Sequence, residues 1–203
     1  MFLLGSWWVI NLRVAIYFVG YFLITAISCD IMLKVNQETL AARGKVNTDS
    51  PKWDKVILAV YWLLAYFVIY FVAGLEIKKQ PKLGNVFIIG IALQIFSSVL
   101  ALRALMVNTF LESTARVQYD RHQVVCCIGP YSVVRHPTYL SIIIWCIGID
   151  MIFETRLVII ISIIIALIII MRTYLEDRML KEKLKGYKEY AKEVKYRLVP
   201  YLW

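Results

Sequence analysis

Apolar and polar positions along this chain fall in long blocks, not in a residue-by-residue alternation. Val56 to Leu75 is an unbroken apolar run, about the length a helix needs to cross roughly 30 Å of hydrocarbon at about 1.5 Å per residue. Similar blocks predict a first span over about Trp7 to Leu33, a second over about Trp53 to Leu75 and a third over about Asn85 to Met106. Ser50-Pro51-Lys52-Trp53-Asp54 reads as a helix start, with Ser able to cap, Pro suited to the first helical position and Asp to the first turn. Two shorter apolar segments, Thr138 to Phe153 and Leu157 to Met171, are parted by Glu154-Thr155-Arg156. They predict a helical hairpin packed within a bundle. Asn108 to His136 is the longest stretch that does not span. From Arg172 onward the chain is polar, and Leu180, Leu184, Tyr187, Ala191, Val194 and Leu198 recur every three or four positions. That spacing makes one apolar stripe, the mark of an amphipathic helix lying on the membrane surface or against the long connection.

Composition supports the membrane reading. The chain is 61% hydrophobic and 18% charged, where soluble domains are about a quarter charged and under half apolar. The expectation is an all-α integral membrane protein of about five transmembrane helices. Residues 1–107 carry three of them with short loops, and residues 108–203 carry the long connection, the hairpin and the C-terminal amphipathic helix.

The net charge of +9 sits in loops and tail beside apolar spans, with no separate basic stripe interleaved with aromatics, so nucleic acid is not an expected partner. With five spans and the N-terminus outside, one side receives Lys34, Arg43, Lys45, Lys52, Lys55, Arg116, Arg121, Arg135 and the basic tail. The other receives Lys78, Lys79, Lys82 and Arg156. The asymmetry puts the long connection and the C-terminus on the cytoplasmic side, in the cytoplasmic membrane of a prokaryote or the endoplasmic reticulum of a eukaryote. Cys29, Cys126, Cys127 and Cys146 have no metal-ligand spacing, so no metal is expected, and they read as small apolar residues in a reducing or membrane setting. Ala26-Ile27-Ser28-Cys29 faintly matches a lipoprotein cleavage site, but the further spans favour an uncleaved first helix.

Two features carry chemistry. In Gly129-Pro130-Tyr131-Ser132-Val133-Val134-Arg135-His136-Pro137-Thr138-Tyr139, Gly-Pro-Tyr is a turn, His136 is pushed toward extended backbone, and Pro137 opens a helix. The helix start turns backbone N–H groups toward the polar side, where a carboxylate or phosphate could sit. The alternative is a membrane-entry turn with Arg135 and His136 on lipid headgroups. Arg172 and Glu176 are four apart and so share a helical face at the exit of the last span. Ionisable residues at that depth are functional candidates, and an interfacial salt bridge is the competing reading. Spacing alone leaves both choices open.

The order Gly-Pro-Tyr-x-x-x-Arg-His-Pro-x-Tyr, a span, Glu176-Asp177-Arg178-Met179-Leu180, Tyr187-Lys188-Glu189-Tyr190 and Arg197-Leu198-Val199-Pro200 resembles the isoprenylcysteine carboxyl methyltransferase family. It is also similar to the related phospholipid methyltransferases. The resemblance runs from roughly Arg116 to Pro200. It implies a cytoplasmic loop that binds S-adenosyl-L-methionine through Gln123, Val124, Val125 and Cys126. Tyr131, His136, Pro137, Thr138 and Tyr139 would complete that site, and Glu176 would hold the cofactor as well. Arg172 would be the catalytic residue facing a lipid or prenylated acceptor that enters from the bilayer. This chain departs from the family pattern in having Gln123 where a histidine is usual, with His122 one place early, and Asp177 as the second acid. The implied activity is methyl transfer to an isoprenylcysteine-like carboxylate. A phospholipid amine is the alternative acceptor; a sterol-reductase-like nicotinamide enzyme and a non-enzymatic membrane protein are the remoter readings.

Overall fold

The computed structural model describes residues 1–44 and 49–203; Lys45, counted above among the basic residues of one side, lies outside them. Among the described residues every regular element is helical. Four helices are long and apolar enough to cross a membrane: Leu12–Val35, Lys52–Leu75, Asn85–Val107 and Arg156–Lys183. A shorter apolar helix, Pro137–Phe153, has 17 residues, about 25 Å at 1.5 Å each and at the lower limit for a crossing. The all-α multi-pass expectation holds.

The first span starts later than its hydropathy indicates. Phe2–Gly5 forms a separate short helix, α1, and α2 (Leu12–Val35) begins only after Asn11, whose side chain accepts from the Val14 N–H at 2.9 Å. Cap chemistry sets that boundary, and hydropathy does not register it. The α3 helix (Gln37–Arg43) follows directly, capped by Asn36. The second span is α4 (Lys52–Trp62) and α5 (Ile69–Leu75) joined through a π-helical segment, Leu63–Val68. Asp54 lies in its first turn but does not cap it. Its carboxylate turns to the Ala115 N–H and to Arg172.

The third span, α6 (Asn85–Val107), packs against α7 (Pro137–Phe153) through Gly90 and Gly148. A Cβ on Gly90 would stand 2.9 Å from the Gly148 carbonyl oxygen, so the two backbones meet where no side chain fits. Gln94 Nε2 donates to the Trp145 carbonyl at 2.9 Å and Ser97 Oγ to that of Ser141 at 2.7 Å. With apolar lipid outside, such close contact and interhelical hydrogen bonds are what hold spans together.

The last span corrects the expected boundary at Met171. The α8 helix runs unbroken from Arg156 to Lys183, 28 residues. Its polar end continues as helix because Arg172 and Asp177 find partners inside the protein. The tail is then not one amphipathic helix. Gly186 takes a left-handed turn (φ 83°), α9 is only Tyr187–Glu193, and the N–H groups of Arg197 and Leu198 return to the Trp203 carbonyl. Leu180, Leu184, Tyr187 and Leu198 of the stripe are buried, the first three in a cluster that includes Ala115 of the long connection. The stripe therefore packs on protein.

The end of the bundle away from the long connection is locked by charge. Arg13, 2% exposed, donates from Nη1 to Glu154 at 2.8 Å and also to the Ile152 carbonyl in the last turn of α7. Glu76 accepts from the Leu157 N–H at 2.9 Å in the first turn of α8. A cation at a helix C-terminus and an anion at an N-terminus are both in the favourable sense.

Candidate active site

Five chain segments meet at the opposite end around a cavity of about 550 Å³: α3, the second span, the long connection, the start of α7 and the end of α8 with the tail. Gln123, Val124, Val125, Cys126, Tyr131, His136, Thr138, Tyr139, Arg172 and Glu176 all line it. Of the residues singled out from the sequence, Pro137 alone does not; it serves as the first residue of α7. Residues 123 to 176 reach one cavity because the α7–α8 hairpin carries Arg172 and Glu176 back beside the α7 start.

The Gly129–Ser132 turn is a single 3-10 turn with Gly129 at φ 60°, a conformation glycine adopts without strain. His136 has φ −127° and ψ 65°, short of full extension. Its backbone N–H donates to the Arg197 carbonyl at 3.0 Å and that of Arg135 to Tyr196 at 2.9 Å, so the tail grips this turn. The Leu140 N–H makes the first helical bond to the His136 carbonyl, and the Tyr139 N–H bonds the same oxygen, both at 3.1 Å, which takes up one first-turn donor that the sequence left free for an anion. The His136 ring stacks on Tyr139 at 5.6 Å and its Nε2 lies 3.3 Å from the Tyr187 hydroxyl.

Arg172 and Glu176 share a wall, yet they do not pair with each other. Arg172 Nε donates to Asp54 at 2.8 Å, its Nη2 donates to the Ser113 carbonyl at 2.7 Å, and the guanidinium lies 5.3 Å over the Tyr139 ring. Glu176 accepts instead from the Tyr139 hydroxyl. This overturns the interfacial Arg172–Glu176 bridge as the structural alternative. Asp177, the next residue on α8, is a hub: it receives Arg135 Nε at 2.7 Å, Arg197 Nε at 2.9 Å and the Tyr187 hydroxyl at 3.1 Å, with Lys181 at 2.8 Å. Arg135, read as a possible headgroup contact, is buried in this hub.

The long connection is tied down by its own polar groups. Arg116 forks onto both oxygens of Glu112 at 2.8 and 2.9 Å, and Gln123 accepts from the Gln118 N–H at 2.8 Å. Gln123 lines the cavity, whereas the neighbouring His122, at φ 50°, is exposed. Burial raises the Tyr131, Tyr187 and Tyr190 hydroxyls above their ordinary pKa, and the Cys126 thiol as well. At neutral pH the cavity therefore presents neutral hydroxyl and thiol groups. Desolvation lowers the Arg43 guanidinium, which remains a cation. Among the described residues the Thr114 Oγ1 hydroxyl on the lining is buried without a hydrogen-bond partner, an unfavourable state that a ligand's polar atoms would relieve.

Sequence reasoning missed Asp54, Arg43 and the aromatic side formed by Tyr61, Trp62 and Tyr66. None belongs to a motif. Asp54 had a cap role to explain it, and the aromatics sat inside an apolar span.

Fold and site together define a multi-pass membrane protein with a cavity that is polar toward the long connection and aromatic toward the spans. Comparison supplies a family likeness: residues 86–182 match the model of the isoprenylcysteine carboxyl methyltransferase (ICMT) family. This is a family of membrane methyltransferases. The match begins in α6, earlier than the motifs alone indicated, and ends before Tyr187. No curated protein matches the chain.

Proposed function

We propose that the chain transfers a methyl group from S-adenosylmethionine to the carboxylate of an isoprenylcysteine-like lipid. The observation that carries this is convergence. Segments far apart in sequence bring every implied residue except Pro137 to one cavity, with the implied cofactor and acceptor residues side by side.

The residues fit the cofactor. Thr114 Oγ1 has no partner among the described residues, and Glu176 offers a carboxylate to an ammonium. Gln123, Val124, Val125, Cys126, Tyr131, His136, Thr138, Tyr139 and Glu176 would hold it, with Pro137 setting the turn. Bound S-adenosylmethionine would supply a methyl group already activated on a sulfonium. The chain's own work is then to align the acceptor, exclude water and neutralise the acceptor's charge. Arg172, cationic and held from behind, would steady the acceptor carboxylate. The lipid tail would lie toward Leu58, Tyr61, Trp62 and Ile142, which line the membrane side of the cavity. The N-terminus would then be outside and the cavity cytoplasmic, within reach of a soluble cofactor.

The choice of a carboxylate over an amine rests on the absence of a poised base among the described residues. An amine must lose a proton. The titratable acids and the histidine that line the cavity are each engaged, Glu112 by Arg116, Glu176 by Tyr139 and the His136 ring by the Tyr187 hydroxyl at 3.3 Å. A carboxylate needs no base. The test is calorimetric titration of the detergent-purified protein with S-adenosylmethionine and S-adenosylhomocysteine, followed by turnover with a farnesylated cysteine. Saturable binding weakened about tenfold or more by Glu176→Gln, with a base-labile methyl ester as product, is expected. Nicotinamide binding in its place, or a base-stable N-methyl product, overturns the assignment.

A further inference from the structure

We propose that Asp54 is a positioning residue that holds Arg172 for the acceptor, an inference that rests on the methyltransferase reading above. Asp54 comes from the second span, outside the matched residues 86–182, and is 0% exposed. It does not line the cavity, whereas Arg172 does. Asp54 therefore stands behind the arginine.

The geometry shows what it does there. One carboxylate oxygen takes Arg172 Nε at 2.8 Å, and the other takes the Ala115 N–H at 2.8 Å. The segment anchored at Ala115 carries the Ser113 carbonyl, which accepts from Arg172 Nη2 at 2.7 Å. A single carboxylate thus fixes both the near edge of the guanidinium and the loop that grips its other side. The planar fork is immobilised, with Nη1 making no hydrogen bond among the described residues, and a long side chain that would otherwise sample many rotamers is preorganised.

Asp54 also decides which acid Arg172 meets. Glu176 is one helical turn away on the same face, yet the arginine goes to Asp54 and Glu176 is left to Tyr139. Without Asp54, Arg172 would be drawn onto Glu176, merging the acceptor and cofactor halves of the site. The buried counter-charge keeps them separate.

The experiment compares Asp54→Asn, Arg172→Ala and the double variant in the full-length protein. The acceptor kcat/KM with a farnesylated cysteine, the S-adenosylhomocysteine affinity and the thermal midpoint are read for each. Asparagine has one acceptor oxygen where two are used, so it breaks either the Arg172 or the Ala115 bond. A misplacement of about 1 Å costs on the order of 100-fold. The acceptor kcat/KM of Asp54→Asn should therefore fall about 10- to 100-fold, and adding Asp54→Asn to Arg172→Ala should cost nothing more, because the two act as a unit. An additive loss in the double variant overturns the proposal, as does unchanged turnover. Asp54→Glu keeps the charge but shifts the carboxylate by a methylene, and serves if Asp54→Asn does not fold. A folded Asp54→Glu protein with parental kcat/KM overturns the proposal; a loss of about tenfold supports it. Absence of adenosyl binding by the parent would overturn the methyltransferase reading together with this inference, whereas parental turnover with an unaffected Asp54→Asn removes this inference alone.

Discussion

Asp177→Ala tests how the site is assembled. Asp177 is 1% exposed and joins three pieces of chain: its own helix α8, the Arg135–His136 turn and the tail. The side chain of Arg135 is 3% exposed and depends on it most, through Nε at 2.7 Å and Nη2 at 3.3 Å. Removing one member of a buried pair strands the other and costs about 3–5 kcal/mol. Arg197 and Lys181 keep 24% and 34% side-chain exposure, so water replaces much of what they lose and they add little. For a chain of this size about 1 kcal/mol moves the melting midpoint by about 2–4 °C, which puts the expected fall at about 6–20 °C. Thermal unfolding in detergent reads it, and limited trypsin digestion should show earlier cleavage at Lys188 and Lys192 as the tail loosens. Arg178→Ala is the control, because the Arg178–Glu182 pair is 68% and 57% exposed and should change stability by less than about 1 kcal/mol. A midpoint for Asp177→Ala within about 2 °C of the parent, matching the control, would refute the view that this carboxylate ties the turn to the tail.

Gly90→Ala should destabilise the α6–α7 contact by about 1–3 kcal/mol, since its Cβ would meet the Gly148 carbonyl oxygen and Ile152 Cγ1, both at 2.9 Å; an unchanged thermal midpoint would contradict that packing. Burial opposes ionisation of Glu76, but the Leu157 N–H and Lys79 outweigh it and hold the carboxyl below the ordinary glutamate value. Folding thus favours the carboxylate, so its contribution is complete above an unfolded pKa of about 4.3 and is lost as pH falls through the folded value. The stability gap between the parent and Glu76→Gln should be widest near neutral pH and close in acid; a gap independent of pH would remove Glu76 from the lock. A cysteine placed at the exposed Tyr201 should resist an impermeant maleimide in right-side-out vesicles and react in inverted ones, and the reverse would overturn the cytoplasmic assignment of the tail.

The spans were legible because membrane crossing depends on composition over about 20 residues, a property local to the sequence. Boundaries set by caps were less so: Asn11 starts α2 five residues after Trp7 could have. The site was legible in part, since Tyr131, His136, Tyr139, Arg172 and Glu176 stand in an ordered motif. Their partners were not. Nothing near Asp54 distinguishes a first-turn acid from the residue that meets Arg172 across 118 positions. Nothing in the spacing of Arg172 and Glu176 shows that they decline to pair. Asp177, adjacent to Glu176, meets a different set of partners because successive helix residues diverge by about 100°.

The sequence by itself determined that the chain is apolar enough to span, which segments do so, and which residues resemble a methyltransferase motif. The tertiary structure decided that the C-terminal stripe packs on protein, that the hairpin returns Arg172 and Glu176 to the His136 turn, and that Asp54 and Asp177 take different cations. The reason is physical. Hydropathy and helical period act within a few turns of chain, whereas a buried charge is satisfied by whichever opposite charge the packed helices bring within about 3 Å, and that neighbour exists only once the bundle has formed.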